Sequence, residues 1–186
     1  MNRLVLTIII FIGAIIFYTL QDNDQEFQNE LIATWGEETI NFKNTVDFDN
    51  LKYRKDNYKI EKFIMLLSDE NGKLYLTDIS INESLIPVKK FYTKKISEAN
   101  VIVLLKTIKG INNETVKYRD GSTATRGEVE VSLIKKDDMT VFYKERIDFI
   151  GDAPNEIRLR TNEPPKHFQF GIIPFDVVER IINKYC

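Results

Sequence analysis

Residues 128–134 read EVEVSLI, and no other stretch constrains the fold so tightly. Successive side chains of a strand point to opposite faces. Val129, Val131 and Leu133 therefore share one face, and Glu128, Glu130 and Ser132 share the other. A helical period of 3.6 gathers neither set into a stripe. A strand divided in this way belongs to a sheet with one apolar and one wet face, as antiparallel sheets commonly have. Lys135–Met139 turns the chain, and TVFYKERIDF answers with Val141, Tyr143, Ile147 and Phe149 on one side. The two arms form a long hairpin. Glu145 interrupts the apolar side, which predicts either a bulge near it or a strand that runs past the core there.

The other apolar runs extend this sheet. Val101–Leu105 is the most apolar stretch after the N-terminal run and reads as a central strand. Phe63–Leu67 is continuously apolar, as a strand buried on both faces would be. Asn71-Gly72 is turn chemistry for a hairpin into a second arm, where Tyr75, Thr77, Ile79 and Ile81 share a face. A strand at Thr115–Tyr118 precedes a further turn at Asp120-Gly121, and Ile157 and Leu159 suggest an edge strand. Pro164-Pro165 forces an extended loop through to His167. At the end, Pro174 suits the first position of a helix, and Val177, Val178, Ile181, Ile182 and Tyr185 form one apolar stripe. That stripe needs a sheet face to cover. The expected class is α+β: an N-terminal transmembrane helix, then a mostly antiparallel sheet of five to seven strands with a C-terminal helix packed on it. A pure sandwich is the alternative, and the terminal helix counts against it.

The N-terminus carries the address. From Leu4 to Leu20 no residue is charged, and at about 1.5 Å per residue such a helix reaches the short end of what spans a bilayer core. The run ends Phe17-Tyr18-Thr19-Leu20-Gln21 without the small-residue pattern that a signal peptidase needs, so residues 1–20 read as an uncleaved membrane anchor. Arg3 precedes the run. Asp22, Asp24, Glu26, Glu30, Glu37 and Glu38 follow it, and no Lys or Arg intervenes before Lys43. Positive charge stays on the cytoplasmic side, which places the N-terminus in the cytoplasm and the rest of the chain outside it. Residues 21–58 read as a polar stalk and lead-in with a short helix over Gln25–Thr34. Residues 59–186 then form an extracytoplasmic α+β domain.

Composition and motifs exclude several chemistries. The formal charge of −2 lacks the clustered positive charge on which nucleic-acid affinity rests, so no nucleic-acid partner is expected. The single cysteine, Cys186, permits no disulfide within the chain, and one His with one Cys cannot compose a zinc site with ordinary ligand spacing. The chain has neither a Gly-x-Gly-x-x-Gly nor a Gly-x4-Gly-Lys-Ser/Thr loop, and no cofactor is expected. Glu128 and Glu130 lie on one face of one strand. They therefore cannot flank a sugar from opposite sides as paired catalytic carboxylates do.

The least generic segment is KYRDGSTATRGE, residues 117–128. Backbone N–H groups at its turn, together with Arg119, Asp120, Ser122 and Arg126, form a candidate anion or carboxylate site, with His167 of the Pro164–His167 loop as a further member. Double replacement of Arg119 and Arg126 by Ala is expected to weaken anion binding without unfolding the domain.

Two functions are carried forward. The first is a membrane-anchored binding or scaffold module, with lipid as partner through residues 4–20 and a protein or envelope component as the partner outside. A sheet edge near Ile157–Thr161 would serve as its docking strip. The alternative is a membrane-tethered hydrolase that uses carboxylates, which requires a deep pocket where two or more Asp or Glu side chains converge.

Overall fold

In a computed structural model of the chain, residues 29–69, 71–79, 82–108, 115–154, 164 and 166–186 are described. The anchor at residues 1–20 and the strand expected at Ile157 and Leu159 lie outside them. Among the described residues no helix is long and apolar enough to cross a membrane.

Among the described residues the main sheet has five strands: β1 (Phe63–Ser68), β2 (Leu74–Leu76), β3 (Val101–Ile108), β6 (Glu128–Lys135) and β7 (Val141–Asp148), in the order β2-β1-β3-β6-β7. A second sheet joins β4 (Thr115–Lys117), β5 (Thr123–Arg126) and β8 (His167–Phe170) in the order β4-β5-β8. Helices α1 (residues 29–35), α2 (Glu37–Thr45) and α3 (Phe175–Asn183) complete an α+β fold.

The sheet is mixed rather than mostly antiparallel. β1 pairs antiparallel with β2 but parallel with β3, Phe63 opposite Val101 through Ser68 opposite Lys106. Parallel neighbours need a long connection. Here it is made by β2 and by a 3₁₀ segment, Glu83–Phe91, which is capped by the Asn82 side chain accepting from Ser84 N–H. Asn100 locks the start of both strands. Its Oδ1 accepts from Glu61 and Lys62 N–H at 3.0 Å, and its Nδ2 donates to the Lys59 carbonyl at 2.9 Å.

Burial on both faces follows from the composition of the central strands. On the first face Phe63, Met65, Val101, Val103, Leu105, Val129, Val131 and Leu133 pack against Leu85 and Val88 of the 3₁₀ segment and against Val178, Ile181 and Ile182 of α3. On the second face Ile64, Leu66, Ile102, Leu104 and Ile134 pack with Trp35, Ile96, Phe48 and Leu51. Residues 35–51, read from sequence as part of a polar stalk, thus cover much of the face expected to be wet. Thr39 pins α2 there: its Oγ1 donates to the Lys94 carbonyl at 3.3 Å and accepts from Ile96 N–H at 2.9 Å.

The β6–β7 hairpin carries its irregularity between Leu133 and Ile134, where Phe142 is the extra residue on β7. At Glu145 the register is regular and the side chain exposed, so the strand runs past the core at that point. Phe142 turns to the first face beside Tyr143, 5.5 Å from both the Tyr58 and the Tyr185 rings.

Aspartates brace several turns. Asp69 Oδ1 accepts from Lys73 N–H at 2.9 Å and from Asn71 N–H at 3.0 Å across the Asn71-Gly72 turn. These bonds, that of Lys73 first, hold the Asp69 carboxyl below its ordinary pKa. Asp47 is lowered by Asp49 N–H and Asp138 by Thr140 N–H. A carboxyl whose folded pKa is depressed stabilises the fold above its unfolded pKa of about 3.9, and that stability is lost as pH falls through the folded value. The melting temperature is expected to stay level from neutrality to about pH 5 and to drop below about pH 4. Asp69→Asn should lower the neutral-pH value and flatten the acid limb; an acid limb unchanged in slope would refute the role given to Asp69.

Candidate functional site

The turn singled out by sequence is built from short local bonds. Gly121 takes φ +86°, and its N–H donates to the Tyr118 carbonyl at 3.0 Å. Asp120 Oδ1 accepts from Ser122 N–H at 2.9 Å, and Ser122 Oγ donates to Asp120 Oδ2 at 3.2 Å. Ser122 Oγ also accepts from Lys166 N–H at 3.0 Å and is fully buried. β5 and β8 run parallel with Thr123 opposite His167, whose Nδ1 lies 2.8 Å from Thr123 Oγ1. The fold therefore brings Asp120, Ser122 and His167 to one end of the small sheet. It does not make a serine–histidine pair there, since the imidazole bonds Thr123 and the Ser122 hydroxyl is held by Asp120 and the Lys166 amide. Arg119 stands exposed on the turn.

Arg126 is placed elsewhere. Its Nη1 donates to the Phe149 carbonyl at 3.0 Å and the Gly151 carbonyl at 2.8 Å, and its guanidinium lies 5.0 Å from the centre of the Phe170 ring. It fastens the corner where the two sheets meet, so replacing it does not test anion binding cleanly. Arg126→Ala is expected to destabilise the domain by about 1.5–3 kcal/mol, the worth of hydrogen bonds from a charged group to carbonyls. Urea unfolding reads this directly, and a midpoint equal to that of the wild type would remove Arg126 from the corner.

A second polar constellation lies on the part of the second sheet face that α1 and α2 leave open. Lys106, Glu130 and Arg146 stand in one row across β3, β6 and β7. The next row is Leu104, Ser132 and Lys144. Glu130 is only 8% exposed and Ser132 only 6%. Burying a carboxylate requires partners, and Glu130 has two: Oε1 lies 2.7 Å from Lys144 Nζ, and Oε2 lies 3.3 Å from Arg146 Nε. Lys106 Nζ pairs with Asp49 Oδ1 at 2.5 Å. Two hollows of about 110 and 90 Å³ flank Phe48, Asp49 and Lys106. Both are well below the ~300–1,000 Å³ of small-molecule sites.

Sequence reading missed this row although period two had already placed Glu130 on the second face. The register that sets Lys106 and Arg146 beside it is a tertiary fact. What the arrangement does chemically is neutralise: each charge faces its opposite, and the one carboxylate at the centre is held by two cations. Among the described residues no three His, Cys, Asp or Glu side chains gather to hold a metal ion. No protein-family model matches the chain, and comparison with curated proteins finds no match.

Proposed function

We propose that the chain is a membrane-anchored extracytoplasmic binding module, held to the bilayer by residues 4–20 and presenting its α+β domain to a protein or envelope component. The observation that carries this reading is how the chemistry-bearing side chains are used. Glu130 is clamped by Lys144 and Arg146, Ser122 is buried between Asp120 and Lys166, and Arg126 holds two carbonyls. These groups stabilise a scaffold, and the two hollows beside Lys106 hold only about 110 and 90 Å³. A carboxylate hydrolase needs a general acid and a base free to exchange protons with substrate. Anchoring confines the module to the membrane surface and raises its effective concentration toward partners there.

The test uses the full chain with a C-terminal tag. The tag should remain with membranes through alkaline extraction, be cleaved by protease added from outside the cytoplasm, and cross-link to a partner in place. A tag recovered in the cytosolic fraction would overturn the placement. Turnover of a hydrolysable ester, phosphate or glycoside that is abolished by Glu130→Gln would overturn the non-catalytic reading.

A further inference from the structure

We propose that the outer edge of β7 is a strand-addition site for a short extended peptide in which acidic and β-branched residues alternate. This rests on the binding-module reading and names where the module takes its partner. Among the described residues β7 ends the five-stranded sheet. The Phe149 N–H donates to the Gly127 carbonyl at 2.9 Å, a pair that continues the β6–β7 register. In an antiparallel ladder, pairs exchanging both bonds alternate with pairs exchanging none. Tyr143, Glu145 and Ile147 therefore bond inward to β6, and the N–H and C=O of Lys144, Arg146 and Asp148 point outward.

The chain already uses this outward side at both ends. Val141 N–H donates to the Lys52 carbonyl, and its own carbonyl accepts from Arg54 N–H, both at 2.9 Å. Ile150 and Ile172 exchange bonds of 3.0 and 2.9 Å. Val141 and Ile150 differ in parity yet share the side because Phe142 is inserted between them and the regular ladder. Between these ends lies an open slot without a backbone partner among the described residues.

β6 shows what β7 accepts as a neighbour. Its Glu130 takes both Lys144 and Arg146 on the second face, while Val129 and Val131 stand opposite Ile147 and Glu145 on the first. A strand's side chains reach the neighbours on both sides, so an added strand meets the same rows. Lys144 and Arg146 share the Glu130 carboxylate, and their side chains keep 47% and 61% exposure, with Asp148 next on the same face. A carboxylate on an added strand would meet the exposed side of these two cations.

The β7 of a second copy does not fit antiparallel on this edge. In any antiparallel register that overlaps residues 144–148, the second copy's own Ile172 or its Lys52–Arg54 segment falls on the first copy's strand. The slot takes about five residues at roughly 3.4 Å each.

The probe is the capped hexapeptide EVEVSL, which is the sequence of residues 128–133, labelled with a fluorophore and titrated into the full chain in non-ionic detergent; KVKVSL is its counterpart. Saturable binding is expected, with slowed amide hydrogen exchange confined to residues 142–149 and about tenfold weaker binding of KVKVSL. Asp148→Pro removes an outward N–H that β6 does not use. It should unfold near the wild-type temperature and bind EVEVSL about three- to tenfold more weakly. If Asp148→Pro does not fold, Arg146→Glu takes its place and should narrow or reverse the preference for EVEVSL. Absence of saturable binding, equal binding of both peptides, protection in another strand, or a preference unchanged by these variants each overturns the proposal. A partner cross-linked at membranes through another surface leaves the module reading intact while the edge fails. Failure of membrane retention leaves the peptide titration in detergent unaffected.

Discussion

Gly171→Ala is expected to destabilise the domain by about 3 kcal/mol and to lower its melting temperature by about 6–12 °C. Two separate penalties act at this position. Gly171 has φ +95°, a backbone that L side chains avoid at about 1–2 kcal/mol. A Cβ there would also stand 2.7 Å from Phe149 Cβ and 3.0 Å from the Ile150 carbonyl oxygen. Neither neighbour yields easily. Ile150 is held by its paired bonds to Ile172, and the Phe149 ring packs on Gly127, where an added Cβ would approach it to 2.4 Å. Gly72→Ala separates the two penalties. Gly72 has φ +81° with nothing within 4 Å of the added atom, so only the backbone term of about 1 kcal/mol remains. Thermal unfolding of both variants decides the matter: equal losses would mean that the close approach at Phe149 contributes nothing.

Phe142→Ala should be the most damaging single replacement on β7, with a loss of about 3–5 kcal/mol. Phe142 is fully buried although it lies on an edge strand. It reaches the core because the irregularity opposite Leu133 and Ile134 turns it to the same face as Tyr143. There it packs against the Tyr58 and Tyr185 rings and closes the core beside α3. Truncation leaves a cavity walled by rigid aromatics that cannot collapse to fill it. A domain of this size has only about 5–15 kcal/mol in hand, so the variant should unfold at much lower urea. Phe142→Leu retains more of the volume and should lose about 1–2 kcal/mol. If Phe142→Ala cost less than Phe142→Leu, the packing assigned to this residue would be wrong.

The candidate residues show which part of a site a sequence reveals. Asp120-Gly121 was legible as a turn because its dihedral demands are local, and Ser122 bonds Asp120 as turn residues do. That His167 stands opposite Thr123 was not legible. β8 is a four-residue strand whose pairing partner lies forty-four positions away, and nothing in HFQF names it. Proximity in sequence groups Arg126 with Arg119. Yet a strand carries its residues away from the turn, and the guanidinium ends on carbonyls of the segment that follows β7.

What the sequence determined by itself is what depends on neighbours a few positions apart. The alternation of EVEVSLI, the apolar runs of β1 and β3, the turns at Asn71-Gly72 and Asp120-Gly121, and the stripe of α3 all follow from side-chain periodicity and dihedral preference. The tertiary structure decided what long-range competition settles. β1 and β3 lie parallel because Asn100 and the 3₁₀ crossover align their starts. Residues 35–51 bury a face that carries Glu130 and Ser132, because Trp35 and Thr39 find partners there that no local pattern encodes. Glu130 is tolerated inside because Lys144 and Arg146 arrive from another strand to neutralise it.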